Sequence, residues 1–184
     1  SIVEQIVRPT VAAMAAEGRE YRGVLYVGLM LTEAGPQVLE FNCRFGDPET
    51  QPIMLRMRSD LVSHCLAALE GKLDAESTDW DPRPSMGVVL AAGGYPGSYA
   101  KGMPISGLPA EEKPGLKVFH AGTALDDDGV VTAGGRVLCV CALGRNVTEA
   151  QAEAYSACRR IHWNGAFTRS DIGHKAVDRE REST

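Results

Sequence analysis

The sequence predicts an α+β fold in two parts, and three observations support this. Two strand-like segments, at 22–32 and 37–43, lie between helical patterns. The stretch 73–84 is polar and rich in Asp and Pro, which is typical of a boundary between compact parts. After it, short strand-like segments separated by turn residues indicate an antiparallel sheet.

The first part is predicted to open with a helix. Apolar residues recur there every three to four positions: Val3, Val7, Val11 and Met14. Pro9 must kink this helix or begin a second helical segment, and Gly18 is a natural end. The run 22–32 is apolar and rich in strand formers, so it is predicted to be a strand covered on both faces.

The strand predicted at 37–43 matters most for function, because its side chains alternate between two faces. One face carries Leu39, Phe41 and Cys43, and the other carries Val38, Glu40 and Asn42. The face with Leu39 is expected to pack toward the core.

The later elements are predicted from helical stripes and short strands. Ser59 is the expected N-cap of a helix that ends at Gly71. Four strands are expected at 86–92, 117–123, 130–133 and 136–143. A capping box of Thr148 and Gln151 is expected to start another helix. The predicted buried face of that helix is Ala150, Ala154, Ala157, Cys158 and Ile161.

Composition excludes several classes of protein. With 184 residues, 44% hydrophobic, the chain can bury a core, and it has neither a membrane-length apolar run nor a basic-then-apolar leader. A formal net charge of −5 gives no general attraction to nucleic acid or to a membrane surface. The five cysteines form no disulfide pattern and fit a reducing compartment, which predicts a cytoplasmic protein. Because Ser1 leads directly into a helical pattern, the chain is expected to be a piece of a larger protein.

Glu40 and Asn42 are the first candidates for chemistry, because side chains two apart on a strand share a face. Their bases are expected roughly 7 Å apart, so both can direct an oxygen toward one point. Mg²⁺ prefers oxygen ligands and takes only one or two from a protein, leaving the other positions to phosphate and water. The alternation alone also permits an exposed strand face with ordinary polar residues.

The loop after this strand concentrates charge of both signs. Arg44, Asp47 and Glu49 lie directly beyond the proposed metal ligands. Gly46 permits a turn or a close backbone approach, and Pro48 restrains the residue before it toward an extended conformation. A surface loop with salt bridges is the alternative interpretation.

At this point the sequence resembles a known family. The segment 39–51, LEFNCRFGDPETQ, is similar to the signature of glycinamide ribonucleotide synthetase, also called phosphoribosylamine–glycine ligase, an ATP-grasp family of purine biosynthesis. Further motifs follow in the family's order: YRGVLY at 21–26, GGYPG at 93–97, VFHAGT at 118–123, GGRVL at 134–138 and RSDIG at 169–173. The resemblance covers nearly the whole chain.

The resemblance implies both fold and reaction. The chain is then the carboxy-terminal part of an ATP-grasp domain at 1–72, a linker at 73–84, a small antiparallel-sheet domain with packed helices at 85–178, and a tail at 179–184. The amino-terminal part of the enzyme is expected before Ser1. The family joins glycine to 5-phosphoribosylamine through a glycyl phosphate, with cleavage of ATP to ADP and phosphate. Neither nucleic acid nor membrane is implied as a partner.

The resemblance also implies residue roles. The family carries Mg²⁺ or Mn²⁺ at the positions of Glu40 and Asn42, which agrees with the argument from the strand face. Arg44 is the catalytic candidate, expected to stabilise the acyl phosphate or the oxygens being transferred. Three loop residues are substrate-binding candidates, of which the two acids are expected to orient the incoming amine or ribose: Gly46, Asp47 and Glu49.

His120 and Arg136 are substrate-binding candidates in the second part. His120 is expected to face the nucleotide or the sugar phosphate, or to be a structural hydrogen-bonding histidine. Arg136, after two glycines, could reach a phosphate or cap the sheet edge. Cys139 and Cys141 share a strand face and are expected to be buried small residues and not a zinc site.

Two other functions stay open at this stage. A strand-borne Glu-x-Asn-x-Arg pattern occurs more widely among ATP-grasp enzymes, so another ligase or a biotin-dependent carboxylase is one alternative. A noncatalytic folding or interaction unit is the other, because the lysines and the loop that grip ATP in the family would lie outside this chain. The chain alone is therefore predicted to have no ligase activity.

Overall fold

A computed structural model of the chain describes residues 1–111, 113–127 and 129–183. The helices and strands are, in chain order, a π-helical segment Val3–Val7, α1 (Arg8–Ala16), β1 (Tyr26–Thr32), β2 (Gly35–Asn42), α2 (Thr50–Arg56), α3 (Leu61–Glu70), a 3₁₀ turn Leu73–Ala75, β3 (Ser85–Ala92), β4 (Leu116–His120), β5 (Thr123–Asp126), β6 (Gly129–Thr132), β7 (Arg136–Leu143), α4 (Val147–Cys158), β8 (Ala166–Phe167) and α5 (His174–Glu182). All the strand pairs formed by these elements are antiparallel, so the α+β prediction is confirmed at this level.

The chain separates into two compact units. The first contains residues 1–46 and 59–79, and the second contains residues 47–58 and the chain from Trp80 onward. α2 belongs to the second unit because it packs on the sheet of that unit. The domain division at 1–72, 73–84 and 85–178 stays a prediction. Of the expected tail, Thr184 lies outside the described residues.

Pro9 begins a second helical segment in the first unit. The π-helical segment ends where the Arg8 N–H donates to the Val3 carbonyl, and α1 then carries Pro9 in its first turn. A proline is tolerated there because the first N–H groups of an α-helix have no partner within the helix. Gly18, at a φ of 74°, follows the end of the helix as predicted.

The predicted strand pair is confirmed, but its predicted burial is wrong. β1 and β2 form a two-stranded antiparallel ribbon. Leu39, expected to face the core, is 64% exposed, and Leu31 on β1 is 75% exposed. A two-stranded ribbon presents two broad faces, and the described part of the first unit covers neither of them completely.

The helix α3 ends at Gly71 as predicted, in a left-handed conformation. Its N-cap is Asp60 and not Ser59, because the Asp60 carboxylate accepts the N–H of Val62 at 2.9 Å. The Ser59 hydroxyl instead accepts the N–H of Asp79 at 2.6 Å.

The second unit is built on a four-stranded sheet in the order β4-β7-β3-β8, with a separate ribbon of β5 and β6. α4 covers one face of this sheet and its predicted buried positions are confirmed. α2 packs against the strands β3 and β7. A side chain at Gly87 of β3 would meet the ring of Pro52 on α2 and the sulfurs of Cys139 and Cys141, so these groups lie on one face. The prediction that both cysteines are buried is confirmed.

The start of α4 differs from the predicted capping box. Asn146 is the N-cap, and its side chain accepts the N–H of Glu149 at 2.8 Å. The carboxylate of Glu180, on α5, accepts the N–H groups of Val147 and Thr148 at 2.6 and 3.0 Å. α5 therefore contacts the N-terminal end of α4. It ends at Glu182, beyond position 178, where the sequence predicted the end of the domain.

Across the described ranges, no helix combines the length and the apolar character that crossing a bilayer requires.

Candidate functional site

Glu40 and Asn42 come together on β2, as their spacing predicts. The Nδ2 of Asn42 donates to the Oε1 of Glu40 at 3.0 Å. Directly opposite on β1, Gly28 pairs with Glu40 and Tyr26 pairs with Asn42, and a bulge follows Gly28. Directly paired residues of an antiparallel ribbon share a face, so all four belong to one face.

Gly28 is the residue of this site that sequence reasoning missed. A β-carbon added there would lie 3.0 Å from the Cγ of Glu40, so the missing side chain is what makes room for the carboxylate. A glycine inside a strand often marks a bulge or a close approach, which was the available signal. Its position opposite Glu40 needs the register, which the sequence does not contain.

The pair fits a magnesium ion. Adjacent ligands of an octahedral Mg²⁺ at 2.0–2.1 Å are separated by roughly 2.9–3.0 Å. The amide group of Asn42 already approaches the carboxylate of Glu40 to 3.0 Å. In this contact the Asn42 amide donates its N–H to the Glu40 carboxylate. Rotating the amide by half a turn would exchange its nitrogen and oxygen, so that the oxygen would occupy nearly the same position and could bind a metal.

The number of protein ligands also suits Mg²⁺. In the described part of the chain, no three His, Cys, Asp or Glu side chains converge on a point that could hold a metal. A site with one carboxylate and one amide leaves most positions to phosphate oxygens and water, as Mg²⁺ requires.

Arg44 lies just beyond the strand and is exposed. Its guanidinium donates to the carbonyl of Phe45 at 2.9 Å. Tyr21 lies near Cys43, at the same end of β2, and its hydroxyl donates to the carbonyl of Val24. Burial, followed by the contact with Cys43, raises the pKa of the Tyr21 phenol.

Asp47 and Arg136, which the sequence treated separately, are partners in the second unit. A guanidinium nitrogen of Arg136 donates to the backbone carbonyl of Asp47 and lies 3.3 Å from its carboxylate. The ring of Tyr95 lies 5.8 Å from the same guanidinium. Burial alone lowers the pKa of the Arg136 guanidinium, but Tyr95 and Asp47 outweigh it and raise that pKa. Because β7 is a central strand, Arg136 does not cap a sheet edge.

The remaining predicted site residues are Gly46, Glu49 and His120. Gly46 is buried, and Glu49 is exposed at the start of α2 without capping it through its side chain. His120 is exposed at the end of β4, where its Nδ1 lies 3.1 Å from the hydroxyl of Thr123. This contact is what we expect if His120 is a structural histidine that makes a local hydrogen bond.

The second unit also contains a cavity of about 520 Å³ that sequence reasoning missed. Its floor is formed by the small residues of one face of β3: Gly87, Val89 and Ala91. Its walls are Pro48, Tyr95, Pro96, Arg136, Phe167, Thr168, Arg169 and Ile172. Arg169 is paired with Asp171 through two hydrogen bonds, of 2.9 and 2.7 Å.

Comparison with known sequences gives one family. The model of the phosphoribosylglycinamide synthetase ATP-grasp (A) domain matches residues 1–50, and the model of the C domain of the same synthetase matches residues 85–175. A phosphoribosylamine–glycine ligase of Vibrio cholerae serotype O1 is 61% identical over 181 residues, which are 98% of this chain and 42% of that protein. The ligase of Escherichia coli K12 is 62% identical over 97% of this chain and 42% of its own length.

A solved structure agrees with this assignment. The crystal structure of the phosphoribosylamine–glycine ligase of Thermotoga maritima matches with a TM-score of 0.80 and 38% sequence identity. The match covers 92% of this chain and 42% of that one. The chain therefore spans about 42% of the length of the relatives it matches.

Proposed function

Because this chain belongs to the phosphoribosylglycinamide synthetase family, we propose that it forms part of a cytoplasmic ligase that joins glycine to 5-phosphoribosylamine with cleavage of ATP. The observation that carries the proposal is the Glu40–Asn42 pair, with the separation of two adjacent magnesium ligands. In this proposal residues 1–72 belong to the ATP-grasp domain and residues 85–178 form the small domain. The rest of the enzyme would be the partner of this chain.

Glu40 and Asn42 would hold Mg²⁺ or Mn²⁺, which when bound offsets charge on the phosphates of ATP. Glycine's carboxylate is a poor electrophile, and transfer of the γ-phosphoryl group to it makes a glycyl phosphate. The nitrogen of phosphoribosylamine then attacks the carbonyl carbon, and phosphate leaves. Gly28 supports this role because it leaves the carboxylate of Glu40 free to take the ligand position.

Arg44 would stabilise the oxygens of the acyl phosphate, using N–H groups beyond the one given to Phe45. Asp47 is suited to orient the incoming amine, because Arg136 and the amide of Gln51 hold its carboxylate in one orientation. Glu49 would assist at the same loop.

Gly46 and His120 complete the set of proposed substrate contacts. Gly46 would allow a close backbone approach. His120 would contact nucleotide or sugar from the end of β4. The other ATP-grasp reactions are less well supported, because both family models and the matched ligases agree on one synthetase.

The proposal is tested in a chimera in which this chain replaces the matching part of the Vibrio cholerae ligase. We expect ADP release that depends on both glycine and phosphoribosylamine. Glu40→Gln keeps the shape of the side chain and removes its charge, so it should lower turnover by roughly a hundredfold, as loss of one such electrostatic group does. Glu33→Gln, on the exposed turn between β1 and β2, is the matched control and should leave turnover unchanged.

Two results would count against the proposal. A folded chimera without substrate-dependent ADP release would contradict the assigned reaction. Near-normal turnover of the Glu40→Gln chimera at ordinary magnesium concentrations would contradict the metal site.

A further inference from the structure

We propose that the cavity of the second unit binds the phosphate group of a phosphorylated pentose, with Arg169 and Arg136 as its anion-binding side chains. The inference rests on the proposed function in one respect: phosphoribosylamine is then the natural occupant. The charge, shape and rigidity of the cavity support an anion site independently of that function.

The charge of the cavity wall selects an anion. Arg136 and Arg169 are its charged members, and none of the described lining residues is acidic. Asp47 and Asp171 contact these guanidinium groups but are not part of the lining, so they orient the arginines without closing the cavity. A divalent cation would meet two positive charges and no carboxylate in the wall. A wholly apolar ligand would leave both guanidinium groups facing it.

The guanidinium of Arg169 keeps donors for a ligand. It gives Nε and Nη2 to the carboxylate of Asp171, at 2.9 and 2.7 Å. Its Nη1 has no partner among the residues that the structure describes. A guanidinium with one side already fixed by a carboxylate loses little freedom when the other side binds phosphate.

The loop that carries Arg169 is also fixed in place. The hydroxyl of Tyr155, on α4, donates to the carbonyl of Arg169 at 2.7 Å and accepts the N–H of Ile172 at 3.1 Å. Gln151 of the same helix donates to the carbonyl of Ile172 at 2.7 Å. These bonds anchor the loop to the helix that packs on the sheet, which favours a preformed site.

The shape of the cavity suits a sugar phosphate. About 520 Å³ lies within the range of small-molecule sites and is larger than one inorganic phosphate needs. Gly87, Val89 and Ala91 give the cavity a floor of small apolar groups, and the aromatic residues Tyr95 and Phe167 line its wall. Such surfaces pack against the C–H groups of a pentose, while the arginines take its phosphate.

ATP is the other source of phosphate groups in the proposed reaction. We favour the sugar phosphate because the cavity lies, except for Pro48, within the segment matching the C domain, while the ATP-grasp model matches residues 1–50. Titrations with ribose 5-phosphate and with ADP distinguish the two sources.

The test is a titration of the ¹⁵N-labelled 184-residue chain, followed by NMR, with ribose 5-phosphate as the probe. Separate titrations use ribose, inorganic phosphate and ADP. We expect saturable shifts for the amides of 167–172 with ribose 5-phosphate, weaker ones with inorganic phosphate, and none with ribose. Arg169→Met should weaken ribose 5-phosphate binding at least tenfold. Arg145→Met is the matched control, because Arg145 also pairs with a carboxylate, that of Glu149, but does not line this cavity, and it should bind as the parent chain does.

A second measurement uses the chimeric ligase. Arg169→Met should raise the KM for phosphoribosylamine at least tenfold and leave the KM values for glycine and ATP unchanged, whereas a merely structural role would move all three or none. The inference is overturned if ribose 5-phosphate causes no shifts at 167–172, if ADP binds there more tightly, or if Arg169→Met changes neither binding nor this KM. Specific binding of ribose 5-phosphate alongside an inactive chimera would overturn the proposed function and support the site, so the two can fail separately.

Discussion

Glu40 and Asn42 owe their contact to three local causes. Their spacing puts them on one face of β2, the register pairs them with Gly28 and Tyr26 of β1, and the missing side chain of Gly28 gives the carboxylate its room. The hydrogen bond of 3.0 Å between them follows from these causes. Mg²⁺ usually takes only one or two ligands from a protein, so two adjacent side chains are enough for the proposed site.

In the chimera, Asn42→Ala should raise the magnesium concentration needed for half of full activity, and excess magnesium should restore part of the lost rate. In the proposed metal site, this variant would remove one oxygen ligand and leave the charged one in place. Leu39→Ala is the control, because Leu39 is the next residue before Glu40 and is exposed, but its side chain has no oxygen that could bind a metal. Magnesium titrations of both variants are the measurement, and an Asn42→Ala chimera indifferent to magnesium would contradict the assignment.

The ion pairs of Asp81 should make the free energy of unfolding depend on pH. Its side chain is 8% exposed. Hydrogen bonds from the guanidinium and backbone N–H of Arg83, and then one from Arg58, hold the pKa of the Asp81 carboxyl well below its usual range, although burial alone would raise it. The ionised form is thus favoured on folding, so its stabilisation is complete above the ordinary Asp pKa of about 3.9 and is lost as the pH falls below that value.

Asp81→Asn should accordingly lower the Tm of the chain at pH 7. Thermal melts of both proteins at pH 7, 5, 4 and 3 should show this difference shrinking below about pH 4, where the parent begins to lose the contribution of the carboxylate. A Tm difference that stayed constant down to pH 3 would show that the ion pairs of Asp81 do not supply it.

At the scale of elements, the sequence predicted the structures that have a periodic pattern of apolar residues. It missed the short helix α2, which has only about two turns. The strand pair and the buried face of α4 follow from alternation and from helical spacing. No helix was predicted at 50–56. Pro52 lies in the first turn of α2, where proline is tolerated.

The N-caps of α3 and α4 were each misplaced by one or two residues. Several neighbouring side chains, such as Ser59 and Asp60, can cap a helix equally well by chemical type. The backbone conformation decides between them, since the N-cap residue must be extended while the next one is helical. This conformation depends on packing that the sequence does not show.

The docking of α5 gives a prediction at this scale. Within this helix Val177 is the buried residue, and the carboxylate of Glu180 accepts bonds from the first turn of α4, which lower its pKa. Glu180→Gln should therefore loosen α5, because a neutral amide is a weaker acceptor and less favourable at a helix N-terminus. Hydrogen exchange of the α5 amides should quicken, while that of β3 and β7 stays slow.

The matched control for that experiment is Glu182→Gln, in the same helix and exposed. It should leave the exchange of α5 unchanged. Equal quickening in the two variants would mean that the general charge of α5, and not the contact with α4, holds the helix.

At the scale of the whole molecule, the candidate residues fall in two compact units. Glu40, Asn42 and Arg44 belong to the first unit, and Asp47 and Arg136 belong to the second. The sequence could place the first group because its members are close along the chain. It could not predict the pairing of Asp47 with Arg136, or the cavity beside them, because these depend on strands far apart in the chain.

The 184-residue chain alone should show no ligase turnover. It spans about 42% of its relatives, and the ATP-grasp model matches only its residues 1–50. ADP release dependent on glycine and phosphoribosylamine should stay at background for the chain and appear in the chimera. Turnover by the chain itself, near that of the chimera, would contradict this prediction.

The signature segment 39–51 crosses from one unit to the other between Gly46 and Asp47. The α-carbons of Asn42 and Asp47 are separated by five residue steps, which span at most about 18 Å when the chain is fully extended. The α-carbons of Asn42 and Asp47 can therefore be no farther apart than this in any conformation of the residues between them. Inserting glycines between Asn42 and Asp47 would raise this limit without changing either side chain, so the length of the connection can be varied separately from the chemistry of the two residues.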